Sequence, residues 1–269
     1  MPGASIPKPG HLGRQYAEQF ADPAVVAAYH HRPPDPAGVF KNLADLVVGE
    51  PRTVLDLGCG TGDIARPLAA VVDFVDAVDC SPGMIERGKR LPGGDRANLE
   101  WRVGSAEDVS LPRLDYGLAT AGESLHWMDW DVVLPRLTRL LAPGAYLALI
   151  GRNESATPWW DELISLIRQY TTNREYQPYS LVAELEKRGL FEQHGIERTD
   201  PMPVRQSFES YIESIHSRNG FSRDRMTPAA ATAFDAEAQR VLHARCRTGD
   251  VEFEIVGQVV WGRPLDPRP

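Results

Sequence analysis

A glycine-rich turn near residue 60 holds the residues whose types and spacing most clearly indicate chemistry. Residues 53–63 read TVLDLGCGTGD, a short apolar stretch followed by Gly58, Gly60 and Gly62. Glycine has no Cβ, so such a turn lets the backbone approach a bound nucleotide closely. Asp56 and Asp63 flank the turn. Because these carboxylates would repel a diphosphate at the start of a helix, the turn predicts a nucleoside ligand with a cationic group.

A further carboxylate, Asp79, ends the next apolar stretch, roughly twenty residues after the turn. A carboxylate there can accept hydrogen bonds from both hydroxyls of a ribose, as in NAD-binding proteins. Asp79 therefore predicts a nucleoside ligand but does not indicate which cofactor contains it. The spacing G-x-G-x-G distinguishes this turn from the dinucleotide-binding fingerprint, which places its third glycine one residue later. The alternatives are a glycine turn without a ligand and an Asp56 that only caps the turn.

Residues 54–63 closely resemble the first motif of class I S-adenosylmethionine (SAM)-dependent methyltransferases. The resemblance implies that Asp56 and the glycine turn hold the amino acid end of SAM. Residues 79–84, DCSPGM, resemble the second motif of the same family. There, Asp79 and Cys80 belong to the cofactor-binding segment and Met84 packs against the adenine. A core methionine is the alternative for Met84.

Residues 104–108, GSAED, match the position of the family motif that reads the adenine edge. The resemblance implies that a backbone amide and a polar side chain among Ser105, Ala106 and Glu107 contact the base. Family members often have aspartate where this chain has Ser105. The partner of the exocyclic amine of the adenine is therefore Ser105, Glu107 or Asp108. The alternative is that these residues form a turn with no role in binding.

Residues 119–130 follow the fourth predicted strand, at the edge where the family presents the methyl group. The Asn/Asp-Pro-Pro-Tyr/Phe signature of amino methyltransferases is missing. Instead, Leu125-His126-Trp127 resembles small-molecule methyltransferases of the trans-aconitate methyltransferase type. Neutral His126 could accept a proton from a substrate, so it is the candidate catalytic residue. Alternatively, His126 bonds the backbone and shapes the floor of the pocket.

The segment Tyr29-His30-His31-Arg32-Pro33-Pro34 resembles the Tyr-x-x-Arg-Pro stretch of the same relatives. Tyr29 and Arg32 could meet the SAM carboxylate and close over it, or belong to a surface turn. No third ligand matches the adjacent histidines, so we predict no metal site.

The surrounding elements alternate between strand and helix. Strands are predicted at 54–57, 74–79, 99–103, 114–120, 145–150 and 251–261, with a further strand region at 191–203. Buried strands separated by amphipathic helices predict an α/β fold with a doubly wound, largely parallel sheet. The resemblance implies a Rossmann-like sheet of seven strands with an antiparallel last strand, plus a helical cap.

Three regions are predicted: an N-terminal helical lid at 1–50, a SAM-binding core at 51–152, and further strands with cap insertions at 153–269. The insertions contain aromatic residues that either line a substrate pocket or form the core of the cap: Trp159, Trp160, Tyr170, Tyr176, Tyr179, Tyr211 and Phe221. The first ten residues and residues 264–269 are predicted to be loose.

Composition narrows the classes of partner. The 269 residues carry a formal net charge of −8, which argues against a nucleic-acid substrate. Three cysteines without metal-type spacing favour a reducing cytoplasm. Residues 1–10 lack the apolar stretch of a signal peptide, and no run has the length of a membrane span. No feature of the sequence predicts an oligomeric state.

These observations predict methyl transfer from SAM to an oxygen, nitrogen or carbon of a small molecule, with S-adenosylhomocysteine (SAH) as the product. A carboxylate acceptor needs no base to be methylated. Because the sequence offers no compelling base, it favours a carboxylate acceptor. The alternatives are a SAM-binding protein without activity, a methyltransferase fold recruited to another reaction, and an NAD-dependent oxidoreductase. Asp63 and the glycine spacing disfavour the last of these.

Overall fold

The computed structural model describes residues 7–267, so part of each predicted loose end lies outside the described residues. These residues form one mixed sheet of eight strands: β1 Thr53–Leu57, β2 Phe74–Asp79, β3 Leu99–Val103, β4 Tyr116–Gly122, β5 Leu141–Glu154, β6 Phe191–Arg198, β7 Met202–Ser207 and β8 Asp250–Pro264. The order is β3-β2-β1-β4-β5-β8-β6, and β7 also pairs with β8. Strands β1 to β5 are parallel, whereas β8 runs antiparallel to its neighbours. The predicted Rossmann-like fold is confirmed.

The sheet has eight strands rather than the predicted seven because the edge at 191–203 is divided. Strand β6 pairs with residues 258–264 of β8, and β7 pairs with residues 250–255 on the same edge. Between them, residues 199–201 lie opposite only two residues of β8. Pro201 has no N–H to donate to the ladder, so the interruption falls where pairing is weakest.

Ten α-helices accompany the strands in the described chain: α1 Arg14–Ala17, α2 Pro23–Ala28, α3 Ala37–Leu46, α4 Ala65–Leu68, α5 Pro82–Arg90, α6 Trp130–Leu140, α7 Trp160–Tyr170, α8 Leu181–Lys187, α9 Phe208–His216 and α10 Pro228–Arg245. Several of these helices begin at a residue whose side chain caps the helix. Ser81 accepts from the Met84 N–H at the start of α5, and Asp129 accepts from the Asp131 N–H at the start of α6. None of the helices in residues 7–267 has the length and apolar character to cross a membrane.

Two hydrophobic layers cover the two faces of the sheet, and a third core lies within the cap. The cap core packs α7, α9 and α10 against the first half of β8. Trp159, Tyr211 and Phe221 are buried in this core, which favours the packing role for these three aromatics. Tyr179 instead packs against the sheet core, and Tyr176 is exposed.

Candidate active site

The glycine turn joins β1 to α4 in a conformation that larger residues would disturb. Gly58 has a φ of +65°, and a Cβ built on it would lie 2.5 Å from Ser124 Cβ. Gly62 has a φ of +79°, and its Cβ would overlap the ring of Trp101. The first position therefore lets the turn meet the end of β4, and the second lets the turn rest on Trp101.

Asp79 fastens the glycine turn to the end of β2. Its carboxylate accepts the Gly60 N–H and the Ser81 N–H, each at 2.8 Å. The Cys59 N–H also donates to the Val78 carbonyl at 2.9 Å. Burial raises the pKa of Asp79, while the two N–H donors act against the rise. A carboxylate has about four acceptor positions, so ribose hydroxyls can still bind. Cys80 follows with an exposed side chain.

Asp56 presents a buried oxygen that lacks a partner. Its Oδ1 accepts the Thr120 hydroxyl at 2.7 Å, whereas its Oδ2 has no hydrogen bond within the described chain. Burial raises the pKa of Asp56 to about 7, and the nearby Asp79 and Asp63 add to the rise, whereas the Thr120 hydroxyl and the nearby Ala65 N–H lower it. A buried carboxylate oxygen without a partner is suited to a cationic donor such as an ammonium.

A cleft opens beside Asp56 where the carboxyl ends of the parallel strands meet. Three parts of the chain line it, namely the N-terminal segment, the glycine turn and the ends of β4 and β5, with Tyr29, Arg32, Asp35, Asp56, Gly58, Cys59, Asp63, Ile64, Gly122, Glu123, Ile150, Gly151 and Arg152. The structure thus brings the predicted Tyr29 and Arg32 to the predicted turn. Asp63 is paired with Arg66 at 2.7 Å.

Arg32 joins the N-terminal segment to the cap. Its Nε donates to Ser217 Oγ at 2.8 Å, and its Nη2 donates to the Ser217 carbonyl just after α9. Its guanidinium lies 4.3 Å from the centre of the Tyr29 ring. Burial lowers the pKa of Arg32. The segment is therefore more than the surface turn considered as the alternative, while a contact with the SAM carboxylate stays a prediction.

The predicted adenine contacts lie at the same sheet edge but outside the cleft lining. Glu107 Oε1 accepts the Asp129 N–H at 2.7 Å, and the Glu107 carboxylate also accepts the Ser105 hydroxyl. The Ala106 carbonyl accepts from Arg136 at 2.7 Å. Because Glu107 is committed to the protein, its placement favours a supporting role for this turn. Met84 is buried at the start of α5.

His126 lies in a short 3-10 helix, Leu125–Trp127, and is absent from the cleft lining. Its ring centre is 4.5 Å from that of Trp127. Burial lowers the pKa of His126 to about 4, with the charges of Lys8 and His11 acting in the same direction. A base of this strength accepts protons poorly at neutral pH. Catalysis by His126 stays a prediction.

Lys8 ties the start of the described chain to this 3-10 segment. Its Nζ donates to the carbonyls of His126 and Met128, each at 2.9 Å, and lies 4.9 Å from the Trp130 ring centre. Burial lowers the pKa of Lys8 to about 8. Lys8 is therefore held in place, although residues 1–10 were predicted to be loose.

Besides Asp35 and Arg152, a further charged residue of the cleft lining was not predicted from the sequence, namely Glu123. It occupies the left-handed region with a φ of +50°, unlike the other non-glycine residues of the described chain. A carboxylate directly after the apolar run of β4 was a visible signal, but the resemblance drew attention to His126 instead. The backbone conformation of Glu123 had no signature in the sequence.

No group of three or more His, Cys, Asp or Glu residues within 7–267 is arranged to hold a metal ion. The adjacent His30 and His31 are engaged elsewhere. His30 Nδ1 is 2.9 Å from the Ala27 carbonyl, and His31 Nδ1 is 3.1 Å from the Ser210 hydroxyl.

Comparison with known proteins agrees with a nucleoside-binding Rossmann-like enzyme. Residues 54–144 match the family described as a methyltransferase domain. An uncharacterized methyltransferase of Schizosaccharomyces pombe is 29% identical over 254 residues, covering 91% of this chain and 95% of the relative. The matched domain and the name of this relative agree with the SAM-dependent methyltransferase predicted from the sequence. The match favours a methyltransferase over the NAD-dependent oxidoreductase considered from the sequence.

Solved structures share the fold. A protein from Anaeromyxobacter dehalogenans assigned as a type II methyltransferase is 23% identical with a TM-score of 0.65, covering 88% of this chain and 99% of that one. A SAM-dependent methyltransferase from Thiobacillus denitrificans, solved with SAH, is 14% identical with a TM-score of 0.52, covering 90% of this chain and 97% of that one.

Proposed function

We propose that this methyltransferase acts on a small molecule bound at the cleft beside the glycine turn, and methylates an oxygen, nitrogen or carbon atom. The observation that carries the proposal is the buried, unpartnered Asp56 Oδ2 beside the glycine turn. An oxygen in this state favours a ligand with an ammonium group, which the amino acid end of SAM provides.

The residues present fit the amino acid and ribose parts of SAM. Asp56 would hold the ammonium, Arg32 with Tyr29 the carboxylate, and Asp79 the ribose. When bound, SAM supplies an electrophilic methyl group on its sulfonium. The chain itself then needs to align the acceptor and exclude water from the cleft.

The N-terminal segment is suited to exclude water because it is bonded to the cap at several points. Asn219 Nδ2 donates to the Tyr16 carbonyl at 2.8 Å, and the Gly220 N–H donates to Gln19 Oε1 at 3.0 Å. Arg225 pairs with Asp22 at 2.7 Å. These contacts support the division into a lid at 1–50, a core at 51–152 and a cap-bearing region at 153–269.

The net charge and the cysteines support two further parts of the proposal, namely that nucleic acid is not a partner and that the protein works in a reducing cytoplasm. A net charge of −8 is unfavourable for a nucleic-acid partner. Cys59, Cys80 and Cys246 are free thiols, as expected in a reducing cytoplasm.

An acceptor screen that measures SAH release tests the proposal. The panel contains small carboxylic acids, phenols and amines, each incubated with SAM and the full chain. We expect one class to stimulate SAH release at least about tenfold over the rate without acceptor. The Asp56→Asn variant is the control and should release no SAH. Stimulation by nucleic acid or protein but by none of the small molecules would contradict the proposal.

A further inference from the structure

The backbone at Glu123 is held in an unfavourable conformation by both neighbouring strands. A non-glycine residue with a φ of +50° carries a free-energy cost, so it persists where its surroundings hold it. The Glu123 N–H donates to the Ile150 carbonyl of β5 at 3.1 Å. The next residue, Ser124, donates its hydroxyl to the Leu57 carbonyl of β1 at 2.6 Å. The side chain thereby lines the cleft.

The Glu123 carboxylate lies against Gly151 of β5, which has no side chain. A Cβ built on Gly151 would be 2.9 Å from Glu123 Oε1, so any larger residue at 151 would displace the carboxylate. The side chain is reached by solvent within the cleft. Across residues 7–267, the carboxylate accepts no hydrogen bond and has no cation within 4 Å.

The arginines around Glu123 already have partners in the protein. Arg32 is bonded to Ser217. Arg152 donates to the Pro33 carbonyl and lies 3.8 Å from Asp35. Arg218, whose charge also acts on Glu123, pairs with Glu154 at 2.7 Å. The negative charge of Glu123 therefore has no direct protein counter-ion in this cleft.

Although solvent reaches the side chain, the walls of the cleft desolvate the Glu123 carboxylate and raise its pKa, and the attraction of Arg152 and Arg32 offsets only part of this rise. A cation bound in the cleft would stabilise the ionised form. SAM carries two cationic groups, its ammonium and its sulfonium. Asp56, at the glycine turn, is suited to the ammonium, which leaves the sulfonium for the carboxylate at the end of β4.

We propose that Glu123 is the counter-charge for the sulfonium of SAM and makes the cleft prefer SAM to SAH. This inference rests on the proposed function. SAH retains the ammonium, carboxylate and adenosine of SAM but has a neutral thioether. Glu123 therefore acts on the one charge that methyl transfer removes, and the preference assists replacement of SAH by SAM after each reaction.

Calorimetric titration of the full chain with SAM and with SAH tests the proposal without any acceptor. The variants are Glu123→Gln, which keeps the size of the side chain, and Glu197→Gln, which removes an exposed carboxylate of β6 as a charge control. We expect Glu123→Gln to weaken SAM binding about tenfold, or about 1.4 kcal/mol, and to leave SAH binding within about twofold. Glu197→Gln should change neither affinity.

The Glu123→Gly variant separates the carboxylate from the backbone strain. Glycine adopts a positive φ readily, so this variant should unfold at a higher temperature than the wild type and still lose the preference for SAM. An equal loss of SAM and SAH affinity in Glu123→Gln would overturn the inference, because the carboxylate would then serve a shared group. Unchanged affinities would also overturn it. Failure of the wild type to bind either compound would instead overturn the proposed function itself.

Discussion

Thr120 on β4 donates its hydroxyl to Asp56 Oδ1 on β1 at 2.7 Å, and this single bond leaves the second oxygen of a buried carboxylate without a partner. The two side chains meet because the strands are adjacent, with Asp56 opposite Thr120 in the register. The hydrogen bond orients the carboxylate but leaves its second oxygen without a donor. The fold thus keeps a costly group at the point where a cationic ligand must bind.

Asp56→Asn should stabilise the protein without ligand and abolish SAM binding. The folded-state pKa of Asp56, about 7, lies above its ordinary value of 3.8. Stability from this group is therefore present below about pH 4 and lost as the pH rises through 7. We expect the variant to be more stable by about 1–3 kcal/mol at pH 8 and unchanged at pH 4, as measured by urea unfolding. Asp95→Asn, at an exposed site, is the control. A variant less stable than the wild type at pH 8 would contradict the account.

Gly58→Ala should cost more than Gly144→Ala, although both glycines have positive φ angles. The Gly58 Cβ would lie 2.5 Å from Ser124 Cβ, whereas nothing lies within 4 Å of the Gly144 Cβ. We expect a loss of about 1 kcal/mol for Gly144→Ala from backbone strain, and about 2–4 kcal/mol for Gly58→Ala from strain plus the clash. Urea unfolding measures both. Equal losses would show that the close approach of β4 to the turn is unimportant.

Arg32→Ala should weaken SAM binding more than Arg225→Ala does. Both arginines attach the N-terminal segment to other parts of the chain, but only Arg32 lines the cleft. Hydrogen exchange should increase across residues 14–32 in both variants. Calorimetry should show at least about a tenfold loss of SAM affinity for Arg32→Ala, from the missing charge-assisted contact, and a smaller loss for Arg225→Ala. Equal losses would mean that Arg32 acts only by fastening the segment.

His126→Ala tests the role predicted from the Leu-His-Trp segment. Because burial lowers the pKa of His126 to about 4, the imidazole is neutral at pH 7 but a weak base. With the acceptor found by the screen, we expect SAM affinity within about twofold of the wild type and a loss of kcat below about tenfold. A hundredfold loss of kcat with intact SAM affinity, together with a changed pH profile, would establish His126 as the base.

The parts of the fold that the sequence predicted are those with local signals. The glycine turn, the apolar strands and the Ser81 cap each depend on residues close together in the chain. The sequence does not predict the interruption between β6 and β7, because pairing of both strands with β8 depends on residues 43 to 73 positions away.

The site was predicted in part for the same reason. Asp56, Asp79 and the glycines belong to contiguous motifs, so their neighbourhood followed from strand order. The attachment of Arg32 to Ser217 joins residues 185 positions apart, and the left-handed Glu123 depends on contacts from β1 and β5. Only the assembled sheet and cap reveal these relationships.

Calorimetric titration of the wild-type chain with SAM, SAH and NAD tests the central claim most directly. We expect micromolar binding of SAM and SAH and no binding of NAD. We also expect the SAM affinity to fall as the pH drops below about 7, because protonated Asp56 cannot pair with an ammonium. Binding of NAD alone, or SAM binding that is unaffected by Asp56→Asn, would contradict the central claim.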